Sequence, residues 1–155
     1  MIVLIFSFRL KESLSVENRL QGSIFSTFLT FGVIIKNRLF MSYVGIQSFL
    51  LGSMFAYIAA SPFIFQSFYG LSAFIFSLCF GANGAALVIG ANVGGKLPNR
   101  KALAIGVLAF VVAALYTIAV LIIQPYWLFI EIGFFAMLLL MGITFPAISL
   151  SLIHI

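Results

Sequence analysis

Charge is what this sequence has least of. Only 7% of its 155 residues are charged, where a soluble globular domain carries roughly a quarter. Aspartate is absent, and the acids are Glu12, Glu17 and Glu131. A single cysteine, Cys79, excludes an internal disulfide framework and any multi-cysteine metal site. The one histidine, His154, has no Cys, Asp or Glu near it in sequence, so neither a zinc set nor a catalytic triad can be assembled. Gly94-Gly95-Lys96 lacks the spaced first glycine and the Ser/Thr after lysine that a P-loop requires. These absences leave no catalytic residue, no metal ligand set and no cofactor motif; an enzyme is not expected.

The sequence is instead rich in apolar residues: 64% are hydrophobic, with 19 Phe and 13 Gly. So short a soluble domain has too little interior for that much apolar surface, and the composition reads as an all-α polytopic membrane protein. The net charge of +5 suggests nucleic acid only until the charges are placed. They fall in two clusters, Arg9 to Arg38 and Lys96 to Lys101. Leu39 to Gly95 carries no charge, and Ala102 to Ile155 carries only Glu131. A membrane helix takes about 20 apolar residues, so each long run fits two helices and a turn. Gln66 to Ser72 supplies one turn and Gln124-Pro125-Tyr126-Trp127 the other. The expected spans are 40–64, 73–94, 102–123 and 127–150. Residues 1–8 are expected to be the end of a truncated transmembrane helix. Residues 9–38 are expected to be a loop in which 22–35 forms an amphipathic helix on the membrane surface.

Hairpins return the chain to the side it left. The 9–38 and 94–101 segments therefore share a side, and all eight Lys and Arg lie on it. The positive-inside rule makes that side cytoplasmic. The partner this implies is a lipid bilayer and no nucleic acid.

Polar groups inside the spans need a partner or water. At about 100° per residue, Tyr43, Gln47, Met54, Tyr57 and Ser61 fall within about 80° of one another. Two readings stand: the wall of a partly hydrated cavity, or polar glue between helices. Asn83 needs a partner, which is either structural or a substrate. Gly81 and Ala85, then Gly90 and Gly94, have the small-xxx-small spacing of close helix packing. Glu131 is the only acid in any span. A carboxylate there marks an ion path or a substrate site and can carry a proton. One turn past Trp127, it can equally reach the interface and stay solvated. A stripe continues from it through Phe135, Leu138, Gly142, Phe145 and Ser149. The candidate cavity residues are Gln47, Met54, Tyr57, Ser61, Asn83, Glu131 and Phe135.

The order of motifs is more specific than the composition. "KESL" in a charged loop is followed by "AYIAASPFIFQSFYGLS", "FSLCFGANGAALVIGANVGG", a short basic loop and "GITFPAISLSL". This series resembles the middle-to-late part of Bcr/CflA-type multidrug efflux transporters of the major facilitator superfamily. The resemblance implies part of a twelve-helix transporter, mainly its C-terminal half, from the end of helix six through helix ten. Gly95 to Lys101 then looks like the family's repeated basic loop without its acid. The implied function is secondary transport in a bacterial inner membrane, with efflux of small amphipathic or aromatic substrates coupled to protons. The alternative is a non-transporting membrane scaffold or subunit. Four spans do not make the walls of a two-halved cavity, so transport by these residues alone is not expected.

Overall fold

The computed structural model describes residue 32 and residues 34–124 and 126–153. The expected helix end at 1–8, most of the 9–38 loop with its surface helix, Pro125 and His154 lie outside the described residues. The chain divides into two units, Met1–Asn37 and Arg38–Ile155.

The second unit is built from four helices: α1, Arg38–Pro62; α2, Ala73–Gly94; α3, Asn99–Ile123; and α4, Trp127–Ile153. Each is long and apolar enough to cross a membrane. The breaks between them follow local chemistry. Ser72 caps α2, its Oγ accepting from the backbone N–H of Ile75. Gly70 takes a positive φ of 68° in the turn before it. Gln124 closes α3 in the left-handed region, its N–H donating to the Val120 carbonyl. Pro98 stands immediately before α3, where its missing N–H is not needed.

The first break is narrower than the expected Gln66 to Ser72. Proline has no N–H to give at position 62, yet the helix does not stop there. It widens into a π-helical stretch, Phe63–Phe68, and only then turns. The widened turn carries Phe65 fully into the interior, against Phe76 of α2 and Phe134 of α4.

α4 is the central helix. It packs along α2 and α3 and touches α1 far less. Backbones come unusually close on the α2 side. A Cβ at Gly90 or Gly94 would collide with the α4 backbone at Leu139 and Ile143, and one at Gly142 with α2 at Leu87 and Ala91. On the α3 side the contact is reciprocal: Gly106 of α3 receives Thr144 of α4, and Gly133 of α4 receives Thr117 of α3. Gly81 and Ala85 take no part, being exposed, with open space where a Gly81 Cβ would stand. Nine residues turn a helix through about 900°, so Gly81 is opposite Gly90. The buried face of α2 is Cys79, Asn83, Ala86, Gly90 and Gly94.

The contacts fix the directions. Gly94 meets Ile143 and Asn83 meets Glu131, so α2 and α4 run parallel. Gly106 meets Thr144 and Gly133 meets Thr117, so α3 and α4 are antiparallel. Tyr57 meets Asn83 and Phe65 meets Phe76, so α1 and α2 are antiparallel, and Arg38, Lys96, Arg100 and Lys101 lie at one end of the bundle.

Candidate functional site: a buried polar cluster across three helices

Every hydroxyl or amide inside an apolar helix must find a partner. Most here find one locally. Ser42, Ser53, Thr117, Thr144 and Ser151 each donate to the carbonyl four residues back, which commits their one O–H within their own helix, and Thr117 also lies 3.5 Å from the Met137 sulfur of α4. Asn83 does otherwise. Fully buried, its Nδ2 donates to the Tyr57 hydroxyl at 2.9 Å and to Glu131 Oε2 at 3.2 Å. One amide thus joins α1, α2 and α4.

Aromatic rings enclose the junction. Tyr57 stacks on Phe80 with centroids 5.8 Å apart, and Phe134 tilts against the same tyrosine at 4.9 Å. Glu131 is buried, 8% exposed, although it sits one turn past Trp127. Its side chain turns inward to Asn83 instead of reaching the interface. Neither Leu39 to Gly95 nor Ala102 to Ile155 contains a lysine or arginine to neutralise it. Among the described residues, three buried side-chain oxygens have no hydrogen-bond partner: Ser61 Oγ, Asn83 Oδ1 and Glu131 Oε1. In a low-dielectric interior such atoms are costly, and native structures keep few of them.

Two grooves flank the cluster, and Tyr57 borders both. One, of about 340 Å³, lies between α1, α3 and α4 and is lined by Ser53, Ala60, Thr117, Phe134 and Met137 among others. The other, of about 140 Å³, lies between α1, α2 and α4 beside Met54, Phe80, Asn83 and Leu138. Both are apolar, and flexible methionines let such walls adapt to different shapes.

The seven candidates fall into groups. Tyr57, Asn83 and Glu131 meet directly. Ser61 is buried one turn beyond Tyr57 on the same face. Met54 is half-buried and borders the smaller groove. Gln47 is half-buried further along α1, outside the cluster's hydrogen bonds. Phe135 is 38% exposed, and the ring against Tyr57 is that of its neighbour Phe134. Phe80, Phe134 and Met137 were not among the candidates. Phe and Met occur throughout these spans, and only tertiary contact distinguishes those beside a polar group.

Four apolar helices enclosing a polar junction define a polytopic membrane protein with an intramembrane polar site. The sequence is similar to YdgK, an uncharacterized transporter of major facilitator superfamily type from Bacillus subtilis (strain 168), with 37% identity over 117 residues. The match covers 73% of this chain and 29% of that protein, so the chain spans less than a third of its relative's length. This similarity supports membership of the major facilitator superfamily. No protein-family profile matches the chain, and no solved structure matches it.

Proposed function

We propose that this chain contributes to a secondary transporter that exports small amphipathic or aromatic molecules in exchange for protons, of the Bcr/CflA type, in a bacterial inner membrane. The observation that carries the reading is the Tyr57–Asn83–Glu131 junction beside an apolar groove of about 340 Å³. Helices that only need to pack do not require a carboxylate sealed among aromatics, and intramembrane acids are functional by default. In this reading the groove takes the substrate, Tyr57 forms its polar edge, and Glu131 carries the proton. The C-terminal half of a twelve-helix fold, with α1 as helix seven, accommodates these roles, since substrate sites of such transporters lie between moving halves. The end bearing Arg38, Lys96, Arg100 and Lys101 is cytoplasmic by the positive-inside rule.

A scaffold role is the second reading, favoured by the glycine-lined contact of α2 with α4. Dye export decides between them. Expressed from its genomic reading frame in a pump-deficient strain, the parent should export a lipophilic dye and Tyr57→Ala should lose most of that activity at equal protein level. No export by the parent, or full export by Tyr57→Ala, favours the scaffold. The orientation has its own check: with Cys79 replaced by alanine, Ser67→Cys should react with an impermeant thiol reagent on intact cells and Asn99→Cys should not.

A further inference from the structure

The cluster contains an unmet demand that its own hydrogen bonds leave open. Among the described residues, each buried side-chain atom without a partner is an oxygen: a hydroxyl from Ser61, an amide carbonyl from Asn83 and a carboxylate from Glu131. All three side chains are at least nine-tenths buried, with exposures of 0%, 0% and 8%. Asn83 and Glu131 are bonded to each other, so their free oxygens belong to one junction. Ser61 follows Tyr57 by one turn on the same face of α1, and Tyr57 is bonded to the same Asn83. Ser61 also leaves unused the carbonyl four residues back, the acceptor that the other buried hydroxyls take.

Oxygen-only donor sets select hard cations, and soft or borderline metals prefer nitrogen or sulfur. The charge narrows the choice. Glu131 brings one negative charge, its bonded neighbours Asn83 and, beyond it, Tyr57 are not cations, and neither Leu39 to Gly95 nor Ala102 to Ile155 holds a Lys or Arg. A single positive charge balances the set, whereas a divalent ion would leave an excess inside the membrane. Water alone would satisfy the oxygens without compensating the carboxylate.

We infer that Ser61 Oγ, Asn83 Oδ1 and Glu131 Oε1 form a binding site for a monovalent hard cation, for which sodium is the probe. The inference rests on Glu131 being the ion-carrying carboxylate of the proposed transporter. It adds that the carboxylate exchanges its proton for a metal ion held jointly by α1, α2 and α4. Occupancy would then tie α1 to the rest of the bundle.

Cys79 supplies the readout. It is the chain's only cysteine, free, 8% exposed, and one turn from Asn83. A maleimide dye reacts with it when the helices separate, so its labelling on heating reports the melting of this contact. A ligand that binds the folded state alone raises that midpoint. With the protein expressed from its genomic reading frame, any cysteine other than Cys79 replaced, and purified in detergent, replacing N-methylglucamine chloride by sodium chloride at equal ionic strength should raise the midpoint by about 3 °C or more. Potassium chloride should give less. Glu131→Gln should abolish the sodium-specific rise, and Ser61→Ala should reduce it. Equal midpoints in the three salts overturn the inference. So does a sodium-specific rise that survives unchanged in Ser61→Ala, the milder variant that decides the matter if Glu131→Gln does not fold. Absence of the sodium effect alongside Glu131-dependent, pH-sensitive export would end this inference and leave the proton reading standing. A sodium effect without export would do the reverse.

Discussion

The two faces of α4 are built on opposite plans. Toward α2 and α3 it is lined with small residues: Gly90 and Gly94 admit its backbone, Gly142 admits that of α2, and Thr117 and Thr144 fit over Gly133 and Gly106. The Thr117 and Thr144 hydroxyls there each donate to a carbonyl of their own helix, Thr117 also reaching Met137 of α4. Toward α1, at the junction that Asn83 of α2 bridges, the contact is sparse, aromatic and polar, and among the described residues three buried oxygens, one each on α1, α2 and α4, remain without partners. In a membrane no hydrophobic force distinguishes the two, because lipid is as apolar as leucine. Close backbone packing holds the first contact. The second contributes less to cohesion and offers groups that a ligand or an ion could use. A structural contact and a working contact can thus share one helix.

If that division is right, substitutions should sort by face. The largest effect is expected at Gly90→Val, whose branched side chain would collide with the α4 backbone at Leu139. Overpacking of this kind costs about 3 kcal/mol, enough to remove most folded protein. Gly81→Val, facing open space on the same helix, should leave the Cys79 labelling midpoint within error. If the two variants melt alike, the tight α2–α4 contact is not what holds the bundle.

Asn83→Ala should be intermediate in stability and severe in function. It removes both hydrogen bonds that join the helices, and interhelical bonds in membranes contribute about 1 kcal/mol or less each. Protein should persist, with export reduced several-fold; normal export from this variant would make the junction structural. Tyr57→Phe should be milder still, since stacking on Phe80 survives and only the hydroxyl is lost. About 0.5 kcal/mol is expected in the labelling melt, with export altered for some dyes and not others. A uniform loss across all dyes would point to folding instead of recognition.

Much of this division was legible in the sequence, and the reasons differ by feature. Charge placement marked out the apolar runs because a carboxylate or ammonium in hydrocarbon is so costly that its absence is informative. The 100° periodicity brought Tyr57 and Ser61 onto one face because that is a property of the backbone alone. The small residues of α2 were legible as a pair of motifs, but which pair packs depends on how the helix is rotated, and Gly81 lost to Gly90 on tertiary grounds. Glu131 was ambiguous for a similar reason: its distance from Trp127 along the chain says nothing about which way the side chain turns. The expected span 40–64 already passed Pro62, but its extension to Phe68 as a π-helical stretch was not legible, because Gln66 to Ser72 read as a polar, glycine-containing turn. Phe134 was missed in favour of Phe135 as the ring beside the polar groups, since adjacent phenylalanines differ only in the direction they face.

Whether the polar junction of α4 with α1 and α2 is the working one is decided with the least structural disturbance by Glu131→Gln. The amide keeps the size of the carboxyl and can still pair with Asn83, so the Cys79 melt in sodium-free buffer should scarcely change. Dye export from cells expressing the genomic reading frame should be measured across a series of external pH values, parent and variant side by side at equal protein level. Export by the parent should vary with pH, and the variant's residual export should be flat. Superimposable pH profiles, with equal rates, would show that Glu131 carries no ion and that the polar contact does no more than pack.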